Sequence, residues 1–263
     1  MANEAPFTDM FTWYEKLYTA VDKSWTYAEY CRRVHGSDMS QQNFCTKGQI
    51  DFLLSKLLLS KDKKVLDIGC GTGKLAEYIS DTTGAIVTGF DYSPTAIRIA
   101  SERTKSKRNR LIFEVGNIND DTYPNDKFDV VISVDTLYFA DNLLRIVSKF
   151  YSNVHSKGKL AFYYGIGRFD KNESNEILLP DKSPLANAFA NAGLTYSVYN
   201  FTIESYEHHK LKRKTALDLK KDFEMEGNTF LFDYLFRESI EIDMSFEEFM
   251  DFSRRYLYIL EKP

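Results

Sequence analysis

A chain of 263 residues, 43% hydrophobic and 27% charged, can bury one large α/β core with a smaller appendage. A net charge of −4 leaves no basic footprint for nucleic acid or an anionic membrane surface, and no uninterrupted apolar run is long enough to span a bilayer. Three widely spaced cysteines, Cys31, Cys45 and Cys70, suit reduced thiols, and Met1 to Pro6 lacks the basic-then-apolar layout of a secretory signal, so a cytoplasmic location is expected.

Residues 8 to 34 read as two helices. Thr8 can cap the first, and Tyr14, Leu17, Tyr18 and Val21 recur on one face. That face either packs on the core or caps a ligand mouth, with Trp13, Tyr14 or Tyr18 lining the pocket. A polar loop from His35 to Gln42 leads to a helix capped by Thr46, whose stripe is Ile50, Leu53, Leu54, Leu57 and Leu58. The next stretch organises the chain. Val65, Leu66 and Ile68 form a short buried-strand run, Gly69, Gly71 and Gly73 make a tight turn, and Leu75, Tyr78 and Ile79 follow at helical spacing. A second strand, Ala85 to Phe90, ends in Asp91 about 20 residues past the loop, where a ribose-binding acid is expected.

Ser93-Pro94 then opens a helix, and the basic residues at its end (Arg103, Lys105, Lys107, Arg108, Arg110) suit a solvated C-terminus. Strands are expected at 111–115, 128–134, 159–164 and 194–201, with helices over 142–155 and 184–192 and a long polar loop over 165–183. From Glu204 to Ser253 helical stretches rich in Lys, Glu and Phe interrupt the sheet, and 255–260 supplies a last strand. The domain reading is therefore an N-terminal helical cap (1–45), an α/β core (46–203), a helical insertion (204–253) and a last core strand (254–263).

The D-I-G-C-G-T-G run at 67–73, with the G-F-D-Y-S segment at 89–93, resembles the cofactor core of class I S-adenosylmethionine-dependent methyltransferases. A nicotinamide site would show G-x-G-x-x-G, and Lys74 stands where its third glycine should fall. The resemblance implies a Rossmann-like, doubly wound, seven-stranded and mostly parallel sheet with an antiparallel last strand. It implies S-adenosylmethionine as cofactor, held by Asp67, Gly69, Cys70, Gly71, Gly73, Asp91, Tyr92, Asn117, Ile118, Val134 and Asp135. Within that set Asn117 would bond the adenine amine, Ile118 would pack on its ring, and Cys70 is a small filler where bulk is forbidden. Gln42 and Phe44 would lie in a loop that closes over the cofactor, and the insertion would build a substrate cover.

Methyl transfer is an in-line displacement that needs positioning and water exclusion more than covalent machinery. Tyr138 is the candidate at the reacting centre, as a positioner or weak base, and His208 a candidate base. Tyr14, Tyr18, Tyr138 and Tyr163 are candidates for substrate contact. Adjacent His208 and His209 point about 100° apart on a helix, which favours a solvent-facing pair over a metal site. Enzymes that methylate base amines usually carry [D/N]-P-P-[Y/F] after the fourth strand; Asp135-Thr136-Leu137-Tyr138 has no proline. The reading is therefore methyl transfer to an O or N atom of a small molecule, with an amine made attractive by 17 Tyr and 20 Phe. A protein-substrate methyltransferase and a non-catalytic cofactor-binding sensor or subunit are the alternatives, and monomer or homodimer stays open.

Overall fold

The computed structural model describes residues 10–39, 45–120, 126–168 and 174–263. Expectations at Thr8, Gln42 and Phe44 fall outside them. Two helices lead, α1 (Met10–Val21) and α2 (Trp25–His35), and α3 (Lys47–Leu57) begins the core. Strands and helices then alternate through β1 (Lys64–Ile68), α4 (Lys74–Thr83), β2 (Ile86–Asp91), α5 (Pro94–Arg103), β3 (Leu111–Val115) and β4 (Phe128–Val134). They continue through α6 (Leu143–Asn153), β5 (Val154–Gly167), α7 (Pro184–Asn191) and β6 (Ser197–Asn200). Four helices follow, α8 (Thr202–Asp218), α9 (Lys220–Met225), α10 (Thr229–Arg237) and α11 (Phe246–Met250), before β7 (Ser253–Glu261).

Local chemistry sets these boundaries. Ser24 caps α2 by accepting from Tyr27 N, and Gly36 ends it in the left-handed region. Thr46 and Gln49 form a reciprocal capping box on α3, and Ser93 followed by Pro94 starts α5. Leu58, expected in the α3 core stripe, instead takes φ +52 as the C-cap and is 76% exposed.

The seven strands run in the order β3-β2-β1-β4-β5-β7-β6. β1 to β5 pair in parallel and β7 runs antiparallel between β5 and β6, as the family resemblance implies. Alternation along β4 sends Val131 to one face and Val130, Ile132 and Val134 to the other, into separate cores. A third core lies outside the sheet, where Leu17, Tyr27 and Tyr30 of α1 and α2 meet Ala216, Phe223 and Leu231 of α8 to α10.

Three expected boundaries shift. β5 runs from Val154 to Gly167, longer than 159–164, because Val154 pairs with Phe128 of β4 at its start and residues 159–167 pair along the full length of β7. That shortens the preceding helix to Asn153 and takes the start of the expected 165–183 loop, in which Asn175–Leu178 forms a 3-10 turn. β6 keeps only four residues of the expected 194–201, matching the four that face β7.

Candidate active site

The carboxyl ends of β1 to β4 converge where the strand order reverses between β1 and β4, the switch point at which open α/β sheets take ligands. A cavity of about 300 Å³ opens there. Its floor is the turn after β1. Gly69 N and Cys70 N both donate to Phe90 O, at 2.9 and 3.1 Å, and tie the turn to β2. Gly69 has φ +71, and a Cβ there would fall inside the Thr136 side chain, so the β4 turn seats directly on it.

Asp91 closes the next side. Its two carboxylate oxygens accept from Gly71 N at 2.9 Å and Ser93 N at 3.0 Å, which fixes the carboxylate plane at the cavity edge. Asp67 stands nearby, 2% exposed, and its Oδ2 has no hydrogen-bond partner among the described residues. Burial first, and Asp91 second, push the Asp67 carboxyl up to about 7. Burial likewise raises Asp91 to about 6 against the pull of its backbone donors. Two carboxyls in an otherwise apolar hollow call for hydroxyl donors and a positive charge.

The roof is one face of α1. Met10, Tyr14 and Tyr18, spaced four apart, line the cavity. Tyr14 meets Tyr92 and Phe139 edge-on, with centroids at 5.8 and 6.0 Å. Glu15, on the adjoining face, accepts from the hydroxyls of Ser93 and Thr95 and latches α1 to the start of α5. No described residue of 204–253 lines the cavity. The insertion backs the roof instead, through the third core and the contact of Trp13 with Tyr234 at 4.9 Å.

Asp67, Gly69, Cys70, Gly71, Asp91, Tyr92, Asn117, Ile118, Val134 and Asp135 all line the cavity, with Tyr14 and Tyr18 above them. Four expected residues do not. Gly73 caps α4 and lies against Phe113, behind the turn. Tyr163 shares the sheet face of Val134 but does not line the cavity; its hydroxyl donates to Gln49 O of α3 at 2.8 Å. Tyr138 lies outside the lining: its hydroxyl donates to Asp135 Oδ1 and accepts from Gly165 N, both at 2.7 Å. His208 is not solvent-facing but 3% exposed, and its Nε2 lies 3.0 Å from His35 Nδ1, away from the lining.

The sequence reading gave no part to Arg255. It is 1% exposed on β7 and grips Asp135 with both terminal nitrogens, at 2.8 and 2.7 Å, while one of them also reaches Cys45 Sγ at 3.0 Å. Asp135 itself sits at φ +56, a conformation unusual for a non-glycine residue and held here by that bidentate pair. Met10 and Phe139 were missed as well. Met10 extends the Tyr14–Tyr18 face by one turn, a signal that helical spacing carries.

Residues 59–214, more than half of the chain, match the model of the "Methyltransferase domain" family. The chain belongs to this methyltransferase family. Similar curated proteins include a phosphoethanolamine N-methyltransferase of Plasmodium falciparum, 31% identical over 124 residues, covering 45% of this chain and 46% of that one. Another is phosphoethanolamine N-methyltransferase 1 of Zea mays, 34% identical over 107 residues, covering 41% of this chain and 21% of that one. The match thus spans less than half the length of these relatives. Among solved structures, the [4+2]-cyclase SpnF superposes with a TM-score of 0.67 at 14% identity, covering 95% of this chain and 97% of that one. Phosphoethanolamine N-methyltransferase 2 of Haemonchus contortus, bound to phosphomonomethylethanolamine and S-adenosylhomocysteine, gives 0.61 at 18% identity, covering 90% and 60%.

S-adenosylmethionine is the cofactor of this family, and the cavity fits it. Asp91 is set to accept ribose hydroxyls, the unpartnered oxygen of Asp67 suits the cationic methionine end, and Ile118, Leu75 and Val134 offer apolar wall to a base. The raised Asp67 carboxyl has a consequence for the free protein. Between pH 3.8, its ordinary value, and about 7, the folded state holds a proton that the unfolded state has lost, so this group's contribution to stability falls as pH rises through that window. Asp67→Asn should therefore stabilise the unliganded protein by an amount that grows from pH 4 to pH 7 and is constant above, on the order of a few kcal/mol at the plateau. Thermal melts across that range check it, and a gain independent of pH would contradict it.

Proposed function

We propose that this methyltransferase moves a methyl group from S-adenosylmethionine to an oxygen or nitrogen of a small molecule. The observation that carries the reading is the switch-point cavity, with Asp91 fixed by two backbone donors beneath the Met10–Tyr14–Tyr18 face. When bound, S-adenosylmethionine supplies an electrophilic methyl on a positive sulfur; S-adenosylhomocysteine is the leaving group. The chain's residues bind, orient and exclude water. Tyr138 holds Asp135 from one side and Arg255 from the other, so the β4 turn is a rigid wall beside the cofactor cavity.

The net charge of −4 and the absence of a proline pair in 135–138 favour a small acceptor over nucleic acid. The names of the curated relatives, phosphoethanolamine methyltransferases among them, lean the same way. No described helix is long and apolar enough to cross a membrane. The three cysteines, buried and widely spaced in the sequence, favour a reducing, cytoplasmic setting. Release of S-adenosylhomocysteine against a panel of small amines, hydroxyl compounds and a generic protein substrate tests the reading. Turnover with a small molecule is expected; cofactor binding with no turnover would favour a sensor, a subunit or another chemistry on the same fold.

The α1–α2 pair acts as a lid in this reading. It must admit the acceptor, so α1 should be held less firmly than the sheet. Hydrogen exchange should show protection rising in 10–39 on adding S-adenosylhomocysteine, with β1 and β4 nearly unchanged. Unaltered exchange in α1 would remove the lid.

A further inference from the structure

The helix that roofs the cavity is held on two sides of different character. On one side Leu17 and Val21 of α1 are buried among the apolar side chains of α8 to α10 in the third core. On the other, α1 faces α5 and the cavity rim, where Tyr18 packs with Ala96 and Ile99 in a small cluster and Tyr14 meets Tyr92 edge-on. A carboxylate joins this second side. Glu15 accepts from the hydroxyls of Ser93 and Thr95, and Thr95 N donates to its Oε1 at 3.4 Å. The negative group thus rests on the first turn of α5, where free N–H groups and the positive end of the helix favour it. Burial raises the Glu15 carboxyl, but the two hydroxyls, Thr95 N and the charge of Arg98 outweigh it and hold the group below its ordinary range.

The same turn carries Asp91 on its cavity side. Ser93 N donates to Asp91 Oδ1 at 3.0 Å, while the Ser93 hydroxyl donates to Glu15 and accepts from Ala96 N at 3.0 Å as the cap of α5. One short segment therefore meets both the acid at the cavity edge and the acid that holds the roof. The two sides of α1 respond differently to parting. Pulling Leu17 and Val21 out of the third core exposes apolar surface to water, whereas the carboxylate and hydroxyls freed on the other side exchange each other for water. Opening therefore runs along the seam between α1 and α5, with α1 still attached to α8 to α10. Across that seam the Tyr92 hydroxyl reaches Met10 O only at 3.4 Å, so Glu15 supplies the firm polar contact.

We propose that Glu15 is the latch of the cofactor site, a positioning residue that keeps α1 closed over the cavity. S-adenosylmethionine enters and S-adenosylhomocysteine leaves only after the bonds of Glu15 to Ser93 and Thr95 break. Glu15, Ser93 and Thr95 all lie outside the cavity lining, so the latch is made whether the cavity is empty or filled. A contact present in both states has no differential effect on them, so its loss frees entry and exit alike and leaves the affinity nearly as it was. A residue that merely supported the bound cofactor would act on exit alone. The inference rests on the methyl-transfer reading, since it takes the switch-point cavity as the cofactor site.

The test uses full-length protein and S-adenosylhomocysteine. Surface plasmon resonance reads the association and dissociation rate constants, and calorimetry reads the affinity. Glu15→Ala should raise both rate constants about tenfold or more, with a dissociation constant changed by less than about twofold. Glu15→Gln, which keeps an acceptor and loses the charge, should raise both several-fold. Thr95→Val removes one donor and leaves the Ser93 cap in place; it should also raise both several-fold, and it serves where Glu15→Ala fails to fold. Rate constants unchanged in every variant that folds, or a change in one of them alone with the affinity shifted to match, would overturn the proposal. Failure of the wild type to bind S-adenosylhomocysteine would instead sink the functional reading beneath it.

Discussion

Asp91→Ala should weaken S-adenosylhomocysteine binding by about 10- to 100-fold, the equivalent of one or two charge-assisted hydrogen bonds at about 1.5–3 kcal/mol each. The carboxylate is bound from behind by Gly71 N and Ser93 N, so its remaining lone pairs point to the cavity without reorganisation. Asp91→Asn is no milder in kind. Both oxygens accept a backbone N–H, and an amide would set its NH2 against one of those donors. Affinity should also fall below pH 6, since burial holds the Asp91 carboxyl near that value and its protonated form accepts fewer hydroxyls. Calorimetry on both variants, and on the wild type from pH 5 to 8, reads all three effects. Wild-type affinity in Asp91→Ala would remove the residue from the site.

Gly69→Ala should destabilise the protein by about 2–5 kcal/mol and abolish measurable cofactor binding. Two separable costs act there: the left-handed backbone at φ +71, and a methyl group driven into the Thr136 side chain. Thr136→Ala in the same chain should recover only part of the steric cost, because the Cβ at 136 would still stand 2.7 Å from the added methyl, and leave the backbone part, about 1–2 kcal/mol. Gly193 is the natural control, because its φ of +68 is almost the same and nothing lies within 4 Å of a Cβ there. Gly193→Ala should show the backbone cost alone and bind S-adenosylhomocysteine normally. Urea unfolding of the wild type and the three variants separates the terms, and a double variant no more stable than Gly69→Ala would refute the packing explanation.

The turn that these substitutions probe was legible in the sequence because its backbone admits few residues. Glycines at 69, 71 and 73 between an apolar run and a helix, with an acid ending the next strand, leave little else to build. Thr46 with Gln49, and Ser93 with Pro94, announced their helices for the same local reason. What escaped notice depends on contacts far apart in the chain. Thr136 seats on Gly69 across 67 positions of numbering, and Arg255 meets Asp135 across 120. An arginine opening an apolar strand reads as a surface terminus until its partner is known. Tyr163 shows a different limit: alternation along a strand gives the face of a side chain, not that its hydroxyl is taken up by the distant backbone of Gln49. α8 shows a third, since a helix that buries Ser205, His208 and Lys212 has no apolar stripe, and its inward side cannot be picked out by periodicity.

The measurement that bears most directly on the central claim is calorimetric titration of the wild-type protein with S-adenosylmethionine, S-adenosylhomocysteine and NAD under one set of conditions. The cavity, with Asp67 and Asp91 beneath the α1 face and Lys74 in place of a third nucleotide-loop glycine, predicts saturable binding of the two adenosyl compounds and no comparable affinity for NAD. Binding of NAD without S-adenosylmethionine would contradict it.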